Sequence, residues 1–102
     1  MGCGRVGSLL ANGLEERNHT VSVIDSNPEA FRRLGEDFNG TQVTGIGFDR
    51  GVLISAGIER ADAFAAVSSG DNSNIIAARV ARETFGVNTV VARIYDPKRA
   101  EV

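Results

Sequence analysis

Two hydrophobic periods alternate along the chain. Val6, Leu9, Leu10 and Leu14 recur at helical spacing and predict a helix from about Arg5 to Arg17. Thr20 to Asp25 reads Thr-Val-Ser-Val-Ile-Asp, a β-branched run that predicts a short strand. Asn27-Pro28 supplies an N-cap and a proline at the first helical position, so a second helix is expected from there to about Asp37. Asn39-Gly40 marks a turn, and Gln42 to Thr44 a strand that ends at Gly45. Asp49 can cap a helix through Ser55, with Gly57 as its stop. Ala63 to Val67 is an uninterrupted apolar run, as a strand covered on both faces requires. The polar loop Ser68 to Asn74 leads into a long helix, about Ser73 to Phe85, which Gly86 ends. Thr89 to Ile94 is again strand-like, and Asp96-Pro97 opens a further helix.

Strands and helices that alternate in this way specify βαβ units and a parallel sheet. The expected fold is α/β, a Rossmann-like doubly wound parallel sheet, with residues 1–102 forming one nucleotide-binding domain truncated at both ends. In that fold a strand precedes the first glycine turn and lies mid-sheet. Here Met1 supplies at most its last residue, so most of the first strand is expected to be lacking.

Gly2-Cys3-Gly4-Arg5-Val6-Gly7 matches G-x-G-x-x-G. Gly2 permits the tight turn, Gly4 lets a pyrophosphate approach the backbone, and Gly7 lets the helix pack closely on the sheet. The N–H groups of Arg5, Val6 and Gly7 then point at the phosphates, and the helix dipole adds to the attraction. By itself such a turn is common. It gains weight from Asp25, at the end of the next strand and 18 residues after Gly7, where a carboxylate holds ribose hydroxyls. Ser26 and Asn27 follow without an adjacent arginine, so NADP is disfavoured against NAD, ATP or ADP. Arg32 and Arg33 are expected on a solvated helix face.

Ligands of open parallel sheets sit at the carboxyl ends of the strands. Gly45 to Asp49, Ser68 to Asn74 and Arg93 all fall there. Phe48 can flank an adenine or simply pack. Ser68, Ser69 and Asp71 can contact ribose or phosphate, or their loop can cap the long helix. Arg93 can serve a phosphate or an internal carboxylate.

Composition narrows the function. A net charge of −2 with a single lysine leaves no basic patch for nucleic acid. One cysteine excludes an intrachain disulfide and a four-cysteine zinc site. His19, in a polar stretch, reads as an exposed loop residue. No nucleophile–histidine pair or metal-ligand cluster stands out, so no catalytic residue is assigned and a non-enzyme is expected. The alternatives are the cofactor domain of an NAD-dependent oxidoreductase and a structural domain with an empty site.

Gly-Cys-Gly-Arg-Val-Gly from Gly2, Val-Ile-Asp ending at Asp25, the Gly45 to Asp49 segment, Ala-Val-Ser-Ser-Gly-Asp-Asn-Ser-Asn from Ala66 and Val-Ala-Arg-Ile-Tyr-Asp-Pro from Val91 occur in this order. Together they resemble the TrkA N-terminal domain, of the RCK (regulator of potassium conductance) family of Trk and Ktr potassium-uptake systems. The resemblance implies a cytoplasmic regulatory subunit that binds NAD(H) or ATP/ADP. It implies a homodimer or ring docked on a potassium-transporting membrane protein at the inner face of the cell membrane. Carried over, Gly2, Gly4 and Gly7 would shape the phosphate turn and Asp25, beside Ser26, would hold the ribose. Arg5 would reach a terminal phosphate near the dimer contact. Gly47, Phe48, Asp49 and the Ser68, Ser69 and Asp71 loop would border the nucleotide, and Arg93 would support its phosphates. Ile46 and Phe48 depart from the acidic residue and threonine usual after the third strand.

Overall fold

A computed structural model describes residues 1–96, so the helix expected from Asp96-Pro97 lies outside the described residues. The elements alternate as expected: α1 (Arg5–Glu16), β1 (Ser22–Asp25), a 3-10 helix (Pro28–Arg33), β2 (Thr41–Thr44), α2 (Arg50–Ser55), a 3-10 turn (Ile58–Arg60), β3 (Ala63–Ala66), α3 (Asp71–Arg79) with a π-helical continuation (Val80–Thr84), and β4 (Thr89–Ala92).

The strands form two parallel pairs. Ser22 to Asp25 run beside Thr41 to Thr44, and Ala63 to Ala66 beside Thr89 to Ala92. The first two residues join them. The Gly2 N–H donates to the Ile24 carbonyl at 2.7 Å, the Met1 nitrogen to the Ala65 carbonyl at 2.8 Å, and the Val67 N–H to the Met1 carbonyl at 2.8 Å. Spatial order is therefore β2, β1, residues 1–2, β3, β4. The stub occupies the mid-sheet place expected for the first strand of a doubly wound sheet.

Strand alternation sends side chains to opposite faces. Val23 enters a core with Cys3, Ala11, Ala30 and Leu34, under α1 and the 3-10 helix. Its neighbour Ile24 enters a second core with Leu53, Ile58, Ala81 and Val87, under α2 and α3. Helices thus cover the strands from both sides. Coverage is uneven, and β3 departs from expectation: Ala66 is buried, but Phe64 and Ala65 are half-buried and Val91 beside them on β4 is 56% exposed. Among the described residues no helix is long and apolar enough to cross a membrane.

Local chemistry explains most boundaries. The Asn27 side chain accepts from the Glu29 N–H and Pro28 fills the first position, so the helix starts where expected. It winds as a 3-10 helix and stops at Arg33 rather than near Asp37, because Leu34 turns extended (ψ 147) and inserts into the first core. Asp49 caps α2 by accepting from the Val52 N–H at 3.1 Å. Gly57 and Gly86, with φ of 93 and 67, take the left-handed conformations that end their helices. The long helix begins at Asp71, two residues before the expected start.

Candidate functional site

The carboxyl ends of β1, β2 and β3 and the amino end of α1 surround a cleft of ≈ 490 Å³. Its floor is the glycine turn. Gly2 has φ 102, and a methyl group there would lie 2.6 Å from the Ser68 nitrogen, so the turn presses directly on the β3 exit. Gly7 is closed in the same way: a Cβ would strike the Gly2 carbonyl, which is how α1 comes to rest on the turn. Gly4 differs, because a Cβ there would meet nothing within 4 Å. Its lack of a side chain is not a packing requirement; it leaves room for something that approaches the backbone.

The same turn begins α1 without a side-chain cap and without an acidic residue in its first turn. The amino end of a 12-residue helix is thus left with N–H donors and a partial positive charge at the edge of the cleft. Asp25 stands opposite at the end of β1. Its two oxygens accept from the Cys3 N–H and the Asn27 N–H, each at 2.8 Å. The carboxylate therefore ties the glycine turn to the β1 exit, and each oxygen retains a further lone pair for a ligand hydroxyl.

A third wall comes from the β3 exit, and one buried residue shapes it. Asn74, fully buried, accepts from the Ser68 N–H (3.0 Å) and hydroxyl (2.7 Å). Its amide donates to the carbonyls of Ser68 (2.9 Å) and Arg93 (2.8 Å). Ser68, Ser69, Gly70 and Ser73 are set against the cleft by this clasp.

The structure brings Gly2, Gly4, Asp25, Ser26, Gly47, Phe48, Ser68 and Ser69 together around the cleft. Six expected residues do not line it. Arg5 is exposed at the first position of α1, Val6 is also exposed on that helix, and Gly7 is buried beneath the turn. Asp49 is committed to capping α2. Asp71 accepts from the Tyr95 and Asp96 N–H groups at 2.7 and 2.9 Å, which pins the β4 exit to α3. Arg93 is not in the cleft lining; its guanidinium lies 4.2 Å from the Tyr95 ring centroid, a cation–π contact.

Sequence reasoning also missed contributors. Met1, Cys3, Ile24, Asn27, Ala30 and Arg33 also line the cleft, while Gly45 and Ile46 line it with Gly47 and Phe48 as members of the segment already expected there. The expectation that Arg32 and Arg33 share a solvated face holds for Arg32, 82% exposed and paired with Glu29 at 3.0 Å. It holds for Arg33 too, which is exposed, but Arg33 also lines the cleft, a place not expected of it. The available signal was the small Ala30 one turn before it, in a helix whose cap starts at the ligand end. Cys3, buried beside the turn, has its thiol pKa raised by burial and then by Asp25, with Arg33 acting in the opposite direction.

The comparisons agree with this architecture. The TrkA-N domain family model matches residues 1–102. The chain is 72% identical over 102 residues to "Trk system potassium uptake protein TrkA" of Streptomyces coelicolor, covering all of this chain and 46% of that protein. It is 37% identical over 102 residues to a Trk system potassium uptake protein TrkA homolog of Pyrococcus abyssi, covering 45% of it. The TrkA protein of Vibrio alginolyticus is 34% identical over 98 residues, 96% of this chain and 21% of that protein. The chain thus spans about half the length, or less, of these curated relatives. With a match along its whole length, the chain belongs to the TrkA-N domain family.

Proposed function

We propose that the chain is the nucleotide-binding part of a regulatory subunit of a potassium-uptake system, with NAD(H) or ATP/ADP as its ligand. The observation that carries this reading is the pairing across one cleft of an uncapped helix start, open at Gly4, with the Asp25 carboxylate. A pyrophosphate suits the first and ribose hydroxyls suit the second. Ser68 and Ser69 supply polar groups between them, and Ile46 and Phe48 an apolar wall for a base. The names of the relatives support the potassium-uptake context.

The signalling step follows from differential affinity. A nucleotide shifts paired domains between arrangements only as far as it binds one better than the other. Arg5 supplies such a difference: exposed beside the cleft at the start of α1, it offers a third phosphate a partner that a diphosphate leaves unused. The subunit acts as a homodimer or ring on a potassium-transporting membrane protein, at the cytoplasmic face, without catalysis of its own.

Calorimetric titration of the 102-residue chain with ATP, ADP, NAD and NADH tests the reading. Saturable binding of at least one ligand, lost in Asp25→Ala, is expected. A folded chain that binds none of them removes the sensor. Arg5→Ala should narrow the ratio of ATP to ADP affinity, and an unchanged ratio would remove Arg5 from the mechanism.

A further inference from the structure

Arg33 forms no salt bridge among the described residues. It is exposed and it lines the cleft. Asp25 and Arg33 are the two charged side chains in the lining. We propose that Arg33 is a ligand-specificity residue that admits adenine dinucleotides carrying a phosphate on the adenosine ribose, the NADP(H) type, alongside the unphosphorylated NAD(H) type. This rests on the reading above that the cleft takes an adenine nucleotide with its ribose at Asp25.

Three features support it. Helical side chains lean toward the amino end of their helix, and in a 3-10 helix residues three apart eclipse one another. Arg33 therefore rises past Ala30, whose methyl group leaves the way open, toward Asn27 and the cleft.

The second feature is the state of Asp25. A bare carboxylate there would repel a ribose phosphate. Here each oxygen already accepts an amide N–H, from Cys3 and from Asn27, so part of its charge is met before any ligand arrives. The third is the opposite wall. Gly45, Ile46, Gly47 and Phe48 bring no charge to the cleft, so the guanidinium is not neutralised from that side. Adenosine carrying a phosphate monoester at the ribose would give it an anion, and the planar fork of arginine suits a phosphate.

The test compares NADH with NADPH, by calorimetry, on the wild-type chain, Arg33→Ala and Arg33→Lys. The expected result is NADPH binding within about tenfold of NADH in wild type. Arg33→Ala should weaken NADPH by about tenfold or more, the loss of a charge-assisted hydrogen bond, and NADH by less than about threefold. Arg33→Lys should recover part of the NADPH loss, and added salt should erode the NADPH affinity more than the NADH affinity. Since Arg33 is exposed, both variants are expected to fold, which circular dichroism checks. Equal losses of both ligands in Arg33→Ala would overturn the proposal, because the residue would then act on a part they share. Binding of NADH without NADPH would overturn it while leaving the nucleotide-sensing reading intact. Failure of NADH, NADPH, ATP and ADP alike would overturn both.

Discussion

Replacing Asn74 with alanine should loosen the cleft from beneath. The side chain is fully buried and makes four hydrogen bonds, two accepted from Ser68 and two donated to the carbonyls of Ser68 and Arg93. Truncation leaves the Ser68 N–H and two carbonyls without their partner. At about 1 kcal/mol for each backbone group stranded where water reaches only in part, the cost is about 3 to 4 kcal/mol. That is a large share of the roughly 5–15 kcal/mol available to a domain of this kind. Urea unfolding should show a lower midpoint at unchanged slope, and the thermal midpoint should fall by about 15 degrees or more. Ser68→Ala removes only the hydroxyl bond and should cost about 1 kcal/mol. Asn74→Asp keeps an acceptor for Ser68 but turns an oxygen on two carbonyls, so it should cost at least as much as alanine. The test is urea unfolding of the three variants beside wild type. A loss below about 1 kcal/mol in Asn74→Ala would refute the clasp as the organiser of the β3 exit.

Other substitutions separate folding from binding. Gly4→Ala should change stability by less than about 1 kcal/mol, because its Cβ meets open space, yet weaken nucleotide binding about tenfold or more; unfolding and titration together check both halves. Gly7→Ala should do the reverse in rank, with a Cβ forced against the Gly2 carbonyl, and lower the thermal midpoint strongly before any ligand is added. The Cys3 thiol has a raised pKa in the fold, so the unfolded chain ionises first as pH rises. Stability should therefore decline on the alkaline side, above about pH 8.5, and Cys3→Ala should flatten that decline in denaturation curves taken across pH. The folded thiol should also react slowly with an aromatic disulfide reagent.

What could be read from the residues was local. The glycine turn, Asp25 at a strand end, the Asn27-Pro28 start, the Asp49 cap and the stops at Gly57 and Gly86 each depend on a few neighbouring residues, and the structure realises them. What could not be read depends on contacts distant in sequence. Asn74 looked like one more polar loop residue; its burial depends on the carbonyl of Arg93, 19 positions away. Arg93 stood at a strand end facing the ligand side, but Tyr95 holds its guanidinium. Asp71 looked free to meet a nucleotide, but the backbone of Tyr95 and Asp96 holds it 24 and 25 positions away. Arg33 is solvated, as its charge suggests, but its place in the cleft lining was not legible, because a 3-10 helix that ends at Arg33 replaces the longer helix expected to about Asp37.

The central claim is that a nucleotide lies between the start of α1 and Asp25. Amide chemical shifts of the 15N-labelled chain during titration with ADP and NADH test it most directly. The account expects the largest changes at Gly4, Arg5, Val6 and Gly7, with Ser26 and Ser69 moving at the same ligand concentrations and the outer face of α3 unmoved. Shifts confined to residues outside the cleft, or none at saturating ligand in a folded sample, would contradict it.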